Sequence, residues 1–79
     1  MYPTKGQVIG ILRMICEGRE LPPGTLEHID ELTHLRDHLQ LDSLDLAELS
    51  VRIEDAFQVD IYADGLVNTL GDVLKKLPL

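Results

Sequence analysis

Residues 39–57 read LQLDSLDLAELSVRIEDAF, and the reading of this stretch decides the fold. Leu46, Leu49, Ser50, Ile53, Ala56 and Phe57 recur at three- and four-residue spacing, which predicts a helix with one buried stripe. Asp42 suits the N-cap, and Ser43, Leu44 and Asp45 fill the first turn, where acidic groups favour the helix dipole. Leu44, Ala47, Glu48, Val51 and Asp55 fall on the opposite side, with Glu54 flanking them. One or two exposed apolar residues mean nothing on a protein surface. Three at helical spacing, framed by carboxylates, exceed what folding needs and point to a face that binds a partner.

Upstream, Thr4 followed by Gln7 reads as a capping box, with Pro3 just outside it. Val8, Ile11, Leu12 and Ile15 then recur at helical spacing, and Gly18 marks the stop. Cys16 borders that face and reads as a small packing residue, since no histidine lies near it in sequence to activate it. Residues 19–41 form a long connection opened by LPPG. Leu26, Ile29, Leu32, Leu35 and Leu39 recur along it, so it reads as a loop pinned to the core, with one or two helical turns inside. His34 and His38 are four apart, a spacing that suits zinc, but further ligands are missing and no metal site is assigned.

Downstream, the helical pattern breaks at QVDIYADGLV, where Gly65 indicates a turn and Ile61 and Leu66 are expected to point inward. Thr69 and Asp72 then form another N-terminal cap. Leu70, Val73, Leu74 and Leu77 make a last apolar stripe, with Lys75 and Lys76 at its end and Pro78 stopping it. The expectation is an all-α domain spanning residues 1–79, a small bundle of three to four helices with a long first loop. Phe57→Ala is expected to cost about 3–5 kcal/mol, as for a buried phenylalanine.

Fourteen acidic residues against seven basic ones leave a net charge of −7. Nucleic-acid binders need cations to displace condensed counterions, so that class is excluded, and anionic membrane surfaces are disfavoured likewise. No apolar run reaches the ~20 residues that cross a bilayer, and Arg13 interrupts VIGILRMIC, which therefore is not read as a leader. With one cysteine there is no internal disulfide, and the expected setting is the reducing cytoplasm. An acidic surface attracts basic protein surfaces.

Ser43 stands between two aspartates at a helix start. As a hydrolase nucleophile it lacks a histidine base, a GxSxG frame and a preceding strand, and no acid–base constellation marks an enzyme. Backbone N–H groups at a helix start instead favour an anion attached to its hydroxyl, such as a phosphate ester.

DSL, continued as LDxxEL, ending in IEDAF and followed by a last helix opening TLGDV, resembles the acyl carrier protein family over nearly the whole chain. That family also includes peptidyl carrier domains. The resemblance implies a covalent 4′-phosphopantetheine on Ser43, delivered from coenzyme A by a phosphopantetheinyl transferase, with Asp42 and Leu44 beside it. It implies a partner face of Leu44, Asp45, Ala47, Glu48, Val51, Glu54 and Asp55 for acyl-loading and acyl-using synthases with basic docking surfaces. The chain itself would be a monomer that catalyses nothing and serves fatty acid, polyketide or specialised lipid biosynthesis. An aminoacyl or peptidyl carrier is the alternative within the family, and an unmodified helical interaction domain is the alternative outside it. Two departures stand out: the glycine usual two or three places before the serine is Gln40 or Leu41 here, and the segment between Ile61 and Thr69 is short.

Overall fold

A computed structural model describes residues 4–77. Pro3, Pro78 and the side chain of Thr4 lie outside what is described, and with them the expected first capping box. Three helices follow in order: α1, Thr4–Ile15; α2, Ser43–Phe57; and α3, Leu70–Lys75. No strand occurs among the described residues, so the all-α expectation holds, with three helices. The core is built where the apolar stripes meet: Val8, Leu12 and Ile15 from α1, Leu46, Leu49 and Ile53 from α2, and Leu70 and Val73 from α3. Cys16 is fully buried among them, and burial pushes its thiol pKa up, so it packs rather than reacts.

The 27-residue stretch between α1 and α2 is held by side chains and backbone together. Ile29, Leu35, Leu39 and Leu41 are buried, as expected of a pinned loop. Leu32 is not: it is 81% exposed, because a turn closed by Thr33 N–H donating to the Asp30 carbonyl (3.0 Å) carries it outward. Leu26 is only half-buried. Single helical turns occur as expected, one closed by His28 N–H to the Gly24 carbonyl and one by His38 N–H to the His34 carbonyl, each 3.0 Å.

The same loop is stitched to the start of α3. Leu35 N–H donates to the Asn68 carbonyl (2.8 Å), Leu70 N–H to Thr33 (3.0 Å) and Gly71 N–H to Glu31 (2.9 Å). A Cβ at Gly71 would lie 3.0 Å from the Glu31 carbonyl oxygen, so this approach needs glycine. Buried backbone polar groups must be paired, and these bonds let a long loop cover a core.

Further expectations are corrected in the last turn of α2 and beyond it. Leu66 is 85% exposed, because Gly65 takes a φ of +125° and turns the chain so that Val67 is buried instead. Ala56 is exposed, and Phe57, the last residue of α2 before Gln58 in the left-handed region, is only half-buried where it packs against the core. Ile61 is fully buried as expected. Thr69 and Asp72 form the capping box that the sequence predicts at the start of α3.

Candidate functional site

The start of α2 is fixed by its own aspartates. Asp45 N–H donates to Asp42 Oδ1 (2.9 Å), and Asp42 N–H donates to Asp45 Oδ2 (3.0 Å), a reciprocal capping box. A helix start leaves four N–H groups without intrahelical partners. The box occupies two of them, and those of Ser43 and Leu44 remain. Ser43 is the first residue of α2 and is exposed, so its hydroxyl stands in solvent beside these donors. An anion ester-linked there meets the positive end of the helix.

Asp45 itself corrects one expectation. It is buried, not part of an outward face, because Arg19 reaches across from the loop that follows α1 and grips it with both terminal nitrogens. Nη1 donates to Oδ2 at 2.6 Å, and Nη2 donates to Oδ1. The Arg19 hydrogen bonds, with the Asp42 N–H adding to them, hold the Asp45 carboxyl down at about 2 against a burial effect of opposite sign. One carboxylate thus caps α2 and ties its start to the loop that follows α1. Sequence reasoning missed Arg19, which lies 26 residues from Asp45 and shares no motif with it.

A pH dependence follows from this pair. The folded pKa is depressed, so its stabilisation is complete above pH ~4 and fades as pH falls towards about 2. In urea unfolding at pH 7 and at pH 3, Asp45→Asn should be clearly weaker than wild type at neutral pH. The gap should narrow in acid. An equal gap at both values would mean that the charge on Asp45 stabilises nothing.

The outward side of α2 is as expected for its other members. Leu44 is 82% exposed and Val51 65%, and Ala47, Glu48, Glu54 and Asp55 are exposed with them. Arg52, an odd cation on this helix, donates through Nε to Glu48 Oε2 one turn earlier (2.8 Å), so Glu48 is paired while Glu54 and Asp55 make no ion pair among the described residues. Asp42 is exposed at the N-terminal end of the same surface. Gln40, two residues ahead of the Asp42 cap, has a φ of +58°, the left-handed region that favours glycine, at a cost of roughly 1 kcal/mol.

Beside Ser43 runs an open groove between α2 and the 60s segment, with Ser43, Leu46, Ala47 and Val51 on one side and Tyr62 and Leu66 on the other. The Tyr62 hydroxyl oxygen in its wall is buried and has no hydrogen-bond partner among the described residues. An orphaned donor beside an exposed serine fits a polar chain tethered there. His34 and His38 are not part of this site. Their Nδ1 atoms accept backbone N–H groups, from Asp37 (3.2 Å) and His34 (2.7 Å) respectively, and so cap their own turn. Among the described residues no cluster of three or more metal-ligating side chains occurs.

Residues 10–77 match the family model described as a phosphopantetheine attachment site. The chain belongs to that family. It is a phosphopantetheine-carrying domain, and domains of this family attach 4′-phosphopantetheine covalently, are served by phosphopantetheinyl transferases and synthases, and are not themselves catalysts. No curated protein and no solved structure matches the chain. No helix among the described residues is long and apolar enough to cross a membrane.

Proposed function

We propose that the chain is a single acyl carrier domain, residues 1–79, that bears 4′-phosphopantetheine on Ser43. The observation that carries this reading is the exposed serine in the first turn of α2, beside the two N–H groups its capping box leaves over. A phosphopantetheinyl transferase moves the arm from coenzyme A to Ser43 Oγ. The arm's thiol then holds the cargo as a thioester and, being tethered, presents it at high effective concentration to whichever enzyme is docked. Asp42 and Leu44 frame the attachment point. An acyl rather than an aminoacyl cargo is favoured by the apolar walls of the groove, Leu46, Val51 and Leu66, which offer an ammonium group nothing. Fatty acid, polyketide or specialised lipid synthesis all use such a cargo. The protein works as a monomer in the cytoplasm, where a buried free thiol such as Cys16 is ordinary. The deciding experiment is mass spectrometry of the wild type after treatment with coenzyme A and a broad-specificity transferase. One added phosphopantetheine is expected; an unchanged mass across several transferases would favour an unmodified interaction domain.

Leu44, Ala47, Glu48, Val51, Glu54 and Asp55 form the docking face in this reading, with Asp45 withdrawn into the Arg19 pair. Val51→Asp should weaken transferase docking chiefly through faster dissociation, since it places a charge in the apolar centre of the contact. Glu48→Lys should slow association most at low salt. It also sets Lys against Arg52, so a stability loss of up to about 0.5–1 kcal/mol is expected for it, and about 0.5 kcal/mol or less for Val51→Asp. Transferase kinetics and melting curves measured together check both. Retained docking with lost stability would remove these residues from the face.

A further inference from the structure

Helix α2 carries four carboxylates and a single cation, Arg52. Its contact with Glu48, one turn earlier, uses Nε alone (2.8 Å). Neither terminal nitrogen of its guanidinium donates to a group among the described residues, and Asp55, three residues on, makes no ion pair with it. Other arginines are spent differently. Arg19 gives both terminal nitrogens to Asp45, and Arg13 gives Nε and Nη2 to the Leu26 carbonyl at 3.2 and 3.0 Å. The Arg52 side chain is 40% exposed, so an uncommitted pair of donors stands at the surface. A Glu–Arg pair four residues apart supports a helix, but Lys would do that equally well. The open end of a guanidinium fork adds the means to grip a carboxylate with two bonds. The neighbouring charges frame it. Asp45 is matched by Arg19 and Glu48 by Arg52, which leaves Asp42 at one end of the surface and Glu54 and Asp55 at the other without an ion pair among the described residues.

Resting on docking along α2, we propose that Arg52 selects among partner enzymes. It fits a partner whose basic docking surface carries a carboxylate opposite Arg52, beside cations that meet Glu54 and Asp55, and it disfavours a surface that is basic throughout. A net charge of −7 draws the chain towards any basic surface, so long-range attraction cannot tell one such surface from another. A local cation can, because like charges brought together across an interface repel while a facing carboxylate is held. Arg52 follows Ser43 by nine residues, about 13.5 Å along the axis at ~1.5 Å per residue. It therefore acts on docking and not on the transfer step at the serine.

The test follows phosphopantetheine transfer from coenzyme A by a broad-specificity transferase whose docking surface is basic throughout. Arg52→Gln should lower KM by about three- to fivefold at low salt, as for one unit charge removed at contact distance in water, with kcat unchanged. Arg52→Glu, which reverses the charge, should lower it about tenfold. Both effects should shrink as salt is added. The docking cations of the transferase are then changed to Glu one at a time. One of these enzymes should prefer the wild-type carrier to Arg52→Glu, the reverse of its parent's order. A carrier with Glu48→Gln and Arg52→Gln together keeps the pair's net charge at zero and should lose that preference. Melting curves taken alongside separate docking from any loss of the helix pair. Arg52 variants within about twofold of wild type in KM at low salt, or the parent's order retained by every Glu-bearing transferase, would overturn the selection and leave Arg52 a helix-supporting partner of Glu48. If Val51→Asp and Glu48→Lys also leave docking unchanged, the α2 face itself falls. If the wild type gains no mass, attachment at Ser43 falls, and the selection with it.

Discussion

Ser43→Ala should keep its unmodified mass under conditions that convert the wild type completely. The chain has two serines, and the other has none of the required surroundings. Ser50 is half-buried two turns further along α2, where every backbone N–H is spent within the helix. The nearby threonines are committed as well. Thr33 is buried and accepts Asp30 N–H at 2.9 Å, while Thr69 caps α3 through Asp72 N–H at 3.1 Å. Ser43 itself is not the cap of its helix, since Asp42 has that role, so removing its hydroxyl should change stability by about 0.5 kcal/mol or less. A variant that melts like wild type and gains no mass isolates the hydroxyl as the acceptor. Modification of Ser43→Ala would move the attachment site.

Much of this fold is legible in the sequence because helical periodicity reports burial wherever a helix is continuous. Leu46, Leu49 and Ile53 are buried and Leu44, Ala47 and Val51 exposed, as their spacing requires. The same periodicity misleads where the chain only turns. Leu32 stands three residues from both Ile29 and Leu35, yet the Asp30–Thr33 turn resets the phase and exposes it. Leu66 fails likewise, because a single left-handed glycine beside it exchanges its place with that of Val67. Asp45 shows a different limit. A helical wheel gives the angle at which a side chain leaves the axis, and not the partner that awaits it. Arg19 comes from a loop whose path depends on the whole fold, and it turns an apparent docking charge into a structural one. Tyr62 is hidden from the sequence for the same reason: it reaches the groove beside Ser43 through tertiary structure alone.

Ile53→Ala should be among the most destabilising single changes in this protein, costing about 2–5 kcal/mol. Ile53 is fully buried beside Leu49 on the side of α2 that meets α1, and truncation leaves a cavity that close-packed neighbours fill only in part. For a 79-residue chain, total stability at ~0.05–0.15 kcal/mol per residue lies near 4–12 kcal/mol, so the variant could approach complete unfolding. Phe57→Ala removes more atoms but should cost less than the 3–5 kcal/mol expected of a buried phenylalanine. Its ring is only half-buried and part of the lost area already faces water. The inequality tests how α2 is seated, since Ile53 and Phe57 share one stripe a turn apart and only a helix pressed deeper at its C-terminal end would reverse the order. Urea unfolding at pH 7, with midpoints compared at constant slope, measures it directly. A larger loss for Phe57→Ala than for Ile53→Ala would mean that the last turn of α2, and not its middle, carries the main contact with the core.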